Sequence, residues 1–188
     1  MVQDICDYFK RTLNLDLQLF ASTASRTNLR YSVIHADTDE DKYTKLRSLL
    51  AESNCPTIVY VSRTKRTRLL AEKLTRDGYR ALPFNGQMEA DDKIANQDAF
   101  MTDKVRIIVA PTAFGLGVDK SDEGLVVHYD ISDSLDNYVQ EAGRAGRDPH
   151  LEARCFVLYS DADLDKHYIL LNQTKLSISE IHLEWKAV

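Results

Sequence analysis

The chain has 188 residues, 44% hydrophobic and 28% charged, and its 24 basic side chains against 29 acidic ones leave a net charge of −5. That length supports one globular domain with a core burying roughly 70% of the unfolded surface. No apolar run approaches the roughly 20 residues a bilayer demands, and the acidic balance excludes nucleic-acid binding by the overall field, so any such contact has to be local.

The first stretch, Met1 to Asp16, is amphipathic and acid-containing, unlike a secretory leader, and Val2, Ile5, Cys6, Phe9 and Leu13 recur at helical spacing. A polar stretch from Ala21 to Asn28 separates this helix from an extended segment, Arg30 to His35, and from a helix predicted over Asp39 to Glu52. From there strand and helix alternate. Thr57 to Val61 is a short β-rich apolar run of the buried, parallel kind. Thr64 to Asp77 reads as a helix stopped by Gly78. Arg80 to Phe84 is the next strand candidate, and the helix after it opens near Glu89, Asp91 and Asp92, acidic residues suited to a positive helix end. Val105 to Ala110, Leu125 to Tyr129 and Ala153 to Leu158 bring the strand candidates to about six. Such alternation predicts a three-layer α/β domain, a central parallel sheet of about six strands with helices on both faces. Near the end, Ser177-Ile178-Ser179-Glu180 has the form of a capping box opening a helix with Ile178, Ile181 and Trp185 on one face. A helix showing Trp185 so close to Val188 predicts that the sequence continues in a longer protein.

Cys6, Cys55 and Cys155 are odd in number, far apart and without Cys-x-x-Cys spacing, which supports neither a disulfide framework nor a zinc site and points to a reducing compartment. His35, His128, His150, His167 and His182 have no metal-ligand spacing either, and His128, inside an apolar strand, reads as a core residue. No metal site is expected.

Two stretches carry chemistry. Thr112 to Lys120 follows a predicted strand, where ligands of parallel α/β sheets bind beyond the carboxyl ends. Gly115 and Gly117 would let backbone N–H groups face a phosphate, Thr112 can donate its hydroxyl to one, and Asp119 can accept from a ribose; a tight turn would use the same glycines. The second stretch, Gln140 to Asp148, places Arg144 and Arg147 three positions apart, each after a glycine. That spacing sets both guanidinium groups on one side of a helix end, where their planar forks suit a polyphosphate. Glu141 could instead satisfy either arginine locally, and the glycines could simply stop the helix.

Ala113-Phe114-Gly115-Leu116-Gly117-Val118-Asp119-Lys120 and Tyr138-Val139-Gln140-Glu141-Ala142-Gly143-Arg144-Ala145-Gly146-Arg147-Asp148 resemble motifs V and VI of the second motor lobe of RecQ-like, superfamily-two DNA helicases. Val126 to Asp130 resembles the strand between those motifs, Ile58 to Arg63 resembles motif IV, and Asn28-Leu29-Arg30-Tyr31 resembles the start of the second lobe, so the similarity spans nearly the whole chain. It implies a RecA-like lobe over 28–172, a helix and inter-lobe linker over 1–27, and the start of a further helical segment over 173–188. It implies ATP with Mg²⁺ as cofactor, with Arg144, Arg147 and Gln140 as catalytic residues and Asp119, Gly117 and both arginines as nucleotide contacts. DNA is the implied partner, held through Ser62, Arg63, Gly86 and Thr112, together with a first lobe of the same protein and no membrane. Such a protein works in the nucleoid of a bacterium or the nucleus of a eukaryote.

The sequence departs from that family at Phe84-Asn85-Gly86-Gln87, where many members have a His-x-Gly element, and at Pro149, where a glycine commonly follows the last Asp. It holds no Gly-x-x-x-x-Gly-Lys-Ser/Thr loop and no Asp-Glu-x-His-like box after an apolar strand, the parts that bind β- and γ-phosphates and Mg²⁺. The isolated chain is therefore expected to be inactive as an ATP hydrolase. The alternatives are an RNA-helicase lobe, whose motif VI would begin His-Arg rather than Gln140-Glu141, and a non-catalytic nucleic-acid-binding or regulatory domain of the same fold. A dinucleotide-binding oxidoreductase lacks its Gly-x-Gly-x-x-Gly here.

Overall fold

A computed structural model describes residues 2–18, 26–111, 120–165 and 168. Along the chain lie α1 (Val2–Leu13), β1 (Leu29–His35), α2 (Asp39–Ala51), β2 (Thr57–Val61), α3 (Thr64–Arg76), β3 (Ala81–Pro83), α4 (Ala90–Met101), β4 (Ile107–Pro111), β5 (Leu125–His128), α5 (Leu135–Ala142) and β6 (Ala153–Tyr159). The strands form one parallel sheet in the order β1-β6-β5-β2-β4-β3. The predicted alternation thus builds the predicted sheet. The proposed C-terminal helix, Ser177 to Trp185, lies outside the described residues.

Side chains of a strand alternate between faces, and β2 shows the result. Val59 and Val61 join α2 and α3 (Tyr43, Leu46, Leu50, Leu70, Leu74) in one core layer. Ile58 and Tyr60 join Phe100 of α4 with Ala142 and Ala145 at and beyond the end of α5 in the other. All five residues of β2 are buried, as a central parallel strand requires.

Element ends follow local chemistry. The Thr38 side chain caps α2 by accepting from Asp41 N at 3.1 Å. Ser134 does the same for α5 through Asn137 N, also at 3.1 Å. β3 is shorter than the predicted Arg80 to Phe84; it is an edge strand ending at Pro83, whose missing N–H is tolerated there. β4 begins at Ile107 rather than Val105, because Val105 N is taken by Ala99 O at the end of α4, at 3.0 Å. Helix α1 forms as predicted, but Ile5, Tyr8 and Leu13 of its apolar stripe are exposed. Among the described residues no helix is long and apolar enough to cross a membrane.

Because every strand runs the same way, all carboxyl ends share one edge of the sheet and all amino ends the other. That division organises the site.

Candidate functional site

At the carboxyl edge, Ser62 follows β2 and Asp130 follows β5, the strand beside it. The Asp130 carboxylate accepts from Ser62 N at 2.9 Å and from Ser62 Oγ at 3.1 Å, and pairs with Arg66 of α3 at 3.0 Å. Arg66 also pairs with Asp39 and lies over the Tyr129 ring, 4.8 Å from its centroid. Arg63, exposed, occupies the N-cap of α3 without a side-chain cap bond. With Lys65 it borders a cleft of about 610 Å³ that also reaches Lys73, and Lys65 and Arg68 border a neighbouring cleft of about 710 Å³. The first turns of α3 thus concentrate positive charge in a chain that is acidic overall.

Gly86 sits in the loop after β3 with open space where a side chain would be. Beside it, at the departure from the His-x-Gly pattern, Asn85 is buried, donates to Thr67 Oγ1 at 2.8 Å and accepts from Gln87 N at 3.0 Å. It shapes the loop.

The arginine stretch lies at the opposite, amino edge. Helix α5 ends at Ala142, and residues 143–146 form turns. Gly146 N donates to Glu123 O at 2.7 Å and Asp148 N to Ser121 O at 3.3 Å, both on the segment leading into β5. Arg26 donates to the carbonyls of Gly143, Ala145 and Gly146 at 3.2, 2.7 and 2.6 Å. Asn28 Nδ2 binds those of Gly146 and Leu151 at 2.7 and 2.9 Å. A loop gripped at so many carbonyls has a fixed backbone from which an arginine can project.

The two arginines, expected on one side of a helix end, lie beyond the helix in different surroundings. Arg144 is half-buried and hydrogen-bonds Tyr60, whose own burial holds its hydroxyl above the usual tyrosine range. Arg147 is exposed, as is Gln140. Both arginines lie near Glu123, 2% exposed; burial pushes its carboxyl up to about 8 even though Arg147, Arg144 and Lys120 oppose the rise. Glu141 does not serve the arginines as a local counter-ion. Its Oε2 accepts from His128 Nε2 at 2.7 Å and from Ser132 Oγ at 2.8 Å.

Lys120 is 5% exposed and bonds Asp103 at 2.9 Å and Asp122 at 3.0 Å, so it anchors the chain at the amino edge. Pro111 ends β4 at the carboxyl edge. The stretch joining them therefore runs from one edge to the other. Thr112, Gly117 and Asp119 belong to it and lie outside the described residues.

Residues 41–149, more than half of the chain, match the helicase conserved C-terminal domain. The chain belongs to that family. Within it the chain is RecQ-like. It is 34% identical over 158 residues to the ATP-dependent DNA helicase RecQ of Haemophilus influenzae, covering 81% of this chain and 24% of that protein. Over 172 residues it is 32% identical to the ATP-dependent DNA helicase Q5 of Mus musculus, covering 86% of this chain and 17% of that one. The yeast DEAD-box splicing factor Prp28 shares the fold, with a TM-score of 0.71 at 23% identity over 90% of this chain and 39% of its own. The chain spans less than a third of the length of the curated relatives it matches.

In this helicase domain the sequence alone pointed to Ser62, Arg63 and Gly86, which the fold gathers at the carboxyl edge, and to Gln140, Arg144 and Arg147, which it sets at the other. It missed Arg26, Tyr60, Glu123 and Asp130, whose partners are far away in sequence. A polar arginine two residues before Asn28 was the one visible hint of Arg26.

Gly146 has φ +56°, and a Cβ there would meet Asn28 Nδ2 at 2.8 Å and Ala153 Cβ at 2.9 Å. Left-handed backbone strains any L side chain, and here the neighbours belong to the clamp itself. Gly146→Ala is expected to destabilise the domain by about 1–3 kcal/mol. Urea unfolding of the two proteins measures it; equal midpoints would contradict the clamp.

Proposed function

We propose that this chain is the second motor lobe of an ATP-dependent DNA helicase. Residues 28–172 form the lobe, 1–27 lead into it from a first lobe, and 173–188 open a following segment. ATP occupies the cleft between the lobes, and hydrolysis of its γ-phosphoryl group supplies the work. Arg147, with Arg144, stabilises charge on that group in the transition state. Gln140 senses the nucleotide or positions the attacking water. Asp119 and Gly117 contact the ribose and phosphates. Mg²⁺ and the phosphate-binding loop are placed on the first lobe; among the described residues no group of His, Cys, Asp or Glu is arranged to hold a metal ion.

The observation that most supports this function is the exposed Arg147 on a loop fixed by Arg26 and Asn28. A donor that is already in place costs no reorganisation when charge develops. At the far edge, Ser62, Arg63, Gly86 and Thr112 hold phosphates of one DNA strand, which gives little sequence preference.

The test is ATP turnover by the full-length protein with and without single-stranded DNA. Stimulation is expected, and its absence would move the chain to a binding-domain role. The isolated chain should turn over no ATP. It should also bind DNA weakly, with Kd above about 1 µM at physiological salt, because its few phosphate contacts release few counterions. Arg63→Ala should flatten the log–log salt dependence for single strands by about 0.7. Submicromolar, salt-insensitive binding would contradict this arrangement.

A further inference from the structure

Behind the arginine loop lies a buried polar cluster that the nucleotide chemistry does not use. His128, the last residue of β5, and Glu141, in the last turn of α5, are 0% and 3% exposed. The imidazole stacks on Tyr60, with ring centroids 5.1 Å apart, and meets Tyr138 at 4.8 Å. Both hydrogen bonds to the carboxylate, from His128 and from Ser132, fall on the same oxygen. Glu141 Oε1 and His128 Nδ1 are buried without a hydrogen-bond partner.

Stability does not explain such a pair. Buried polar atoms left unsatisfied destabilise a fold, and an apolar pair of similar volume often serves it as well or better. Position does explain it. Helix α5 has eight residues, too few to hold itself, and Leu135 and Val139 on its outer side are exposed. Its placement therefore depends on the grip on its inner side. Glu141 supplies that grip one residue after Gln140 and three before Arg144, and its own carbonyl accepts from Arg144 N at 3.2 Å.

We infer that Glu141, held by His128 and Ser132, is a positioning residue for the arginine loop: it pins the last turn of α5 to β5 and so sets the reach of Arg144 and Arg147. The role rests on the function proposed above.

The experiment uses the full-length protein and compares wild type, Glu141→Ala, Glu141→Gln, Arg147→Ala and the Glu141→Ala/Arg147→Ala double variant. Each is measured for kcat and KM for ATP at saturating single-stranded DNA. Glu141→Ala should lower kcat about 10- to 100-fold, the scale of a misplacement of about 1 Å, with KM within about threefold of wild type. Glu141→Gln keeps an oxygen for both donors and should stay within about threefold of wild-type kcat. In the Arg147→Ala background, Glu141→Ala should cost nothing further, because the loop is already disarmed. If the alanine variant does not fold, Ser132→Ala, which removes one of the two donors, takes its place with the same expected non-additivity. Full kcat in Glu141→Ala, or the same fold-loss in both backgrounds, would overturn the positioning role alone. An Arg147→Ala enzyme with undiminished turnover would overturn the underlying function as well.

Discussion

Arg147→Ala in the full-length protein is expected to lower DNA-stimulated ATP turnover by about 10³- to 10⁵-fold, with folding and ATP binding largely kept. That is about 4–7 kcal/mol of barrier, more than any single packing contact in this lobe could supply. The expectation is specific to Arg147 because Arg147 is exposed on a clamped loop, whereas Arg144 is half-buried against Tyr60. Arg144→Ala should therefore lose stability together with rate. Arg147→Lys should restore little, since an ammonium lacks the planar fork that meets two phosphate oxygens at once. Turnover within tenfold of wild type in Arg147→Ala would remove this arginine from the chemistry.

Glu123→Gln should stabilise the lobe, and by more as the pH rises. Burial lifts the Glu123 carboxyl to about 8 in the folded chain, against an ordinary value of 4.5. Between these values the unfolded chain releases its proton while the folded chain retains it, so wild-type stability falls as pH rises through that window and levels off above about 8. Each unit of difference is worth about 1.4 kcal/mol, so several kcal/mol is the upper bound. Glutamine has no proton to lose. The gap in urea stability between variant and wild type should therefore widen by about 2–4 kcal/mol from pH 5 to pH 9. A gap that stays flat would mean that Arg147, Arg144 and Lys120 already hold the carboxylate as a paired anion.

Much of the fold was legible because the strands announce themselves. Thr57 to Val61 and Ile107 to Ala110 are short β-branched runs with no polar interruption, as strands covered on both faces must be. The ends were less legible. Val105 has strand-forming chemistry, and only the neighbouring Ala99 carbonyl removes it from the sheet. At the site, the residues adjacent in sequence were readable and the partners were not. Arg26 meets the arginine loop across 117 to 120 residues, and Asp130 meets Ser62 across 68. No periodicity encodes such pairings. Glu141 misled for a related reason: three residues from Arg144 it suggests a local ion pair, but the inward side of α5 turns it to His128 instead. Nor could spacing show that the arginines and Ser62–Arg63 would stand at opposite edges, since that follows from the direction in which α5 returns along the sheet.

The parallel sheet does more than bury a core. Asp130, which holds Ser62, and Glu123, beside the arginines, flank the same strand, β5. At about 3.3 Å per residue, its four residues keep the two edges roughly 13 Å apart. An extended backbone between two hydrogen-bonded neighbours neither stretches nor shortens appreciably, so β5 is a strut. Substitutions in the loops can change how firmly either end grips its phosphates, but only a change in the number of strand residues can change the distance between the grips.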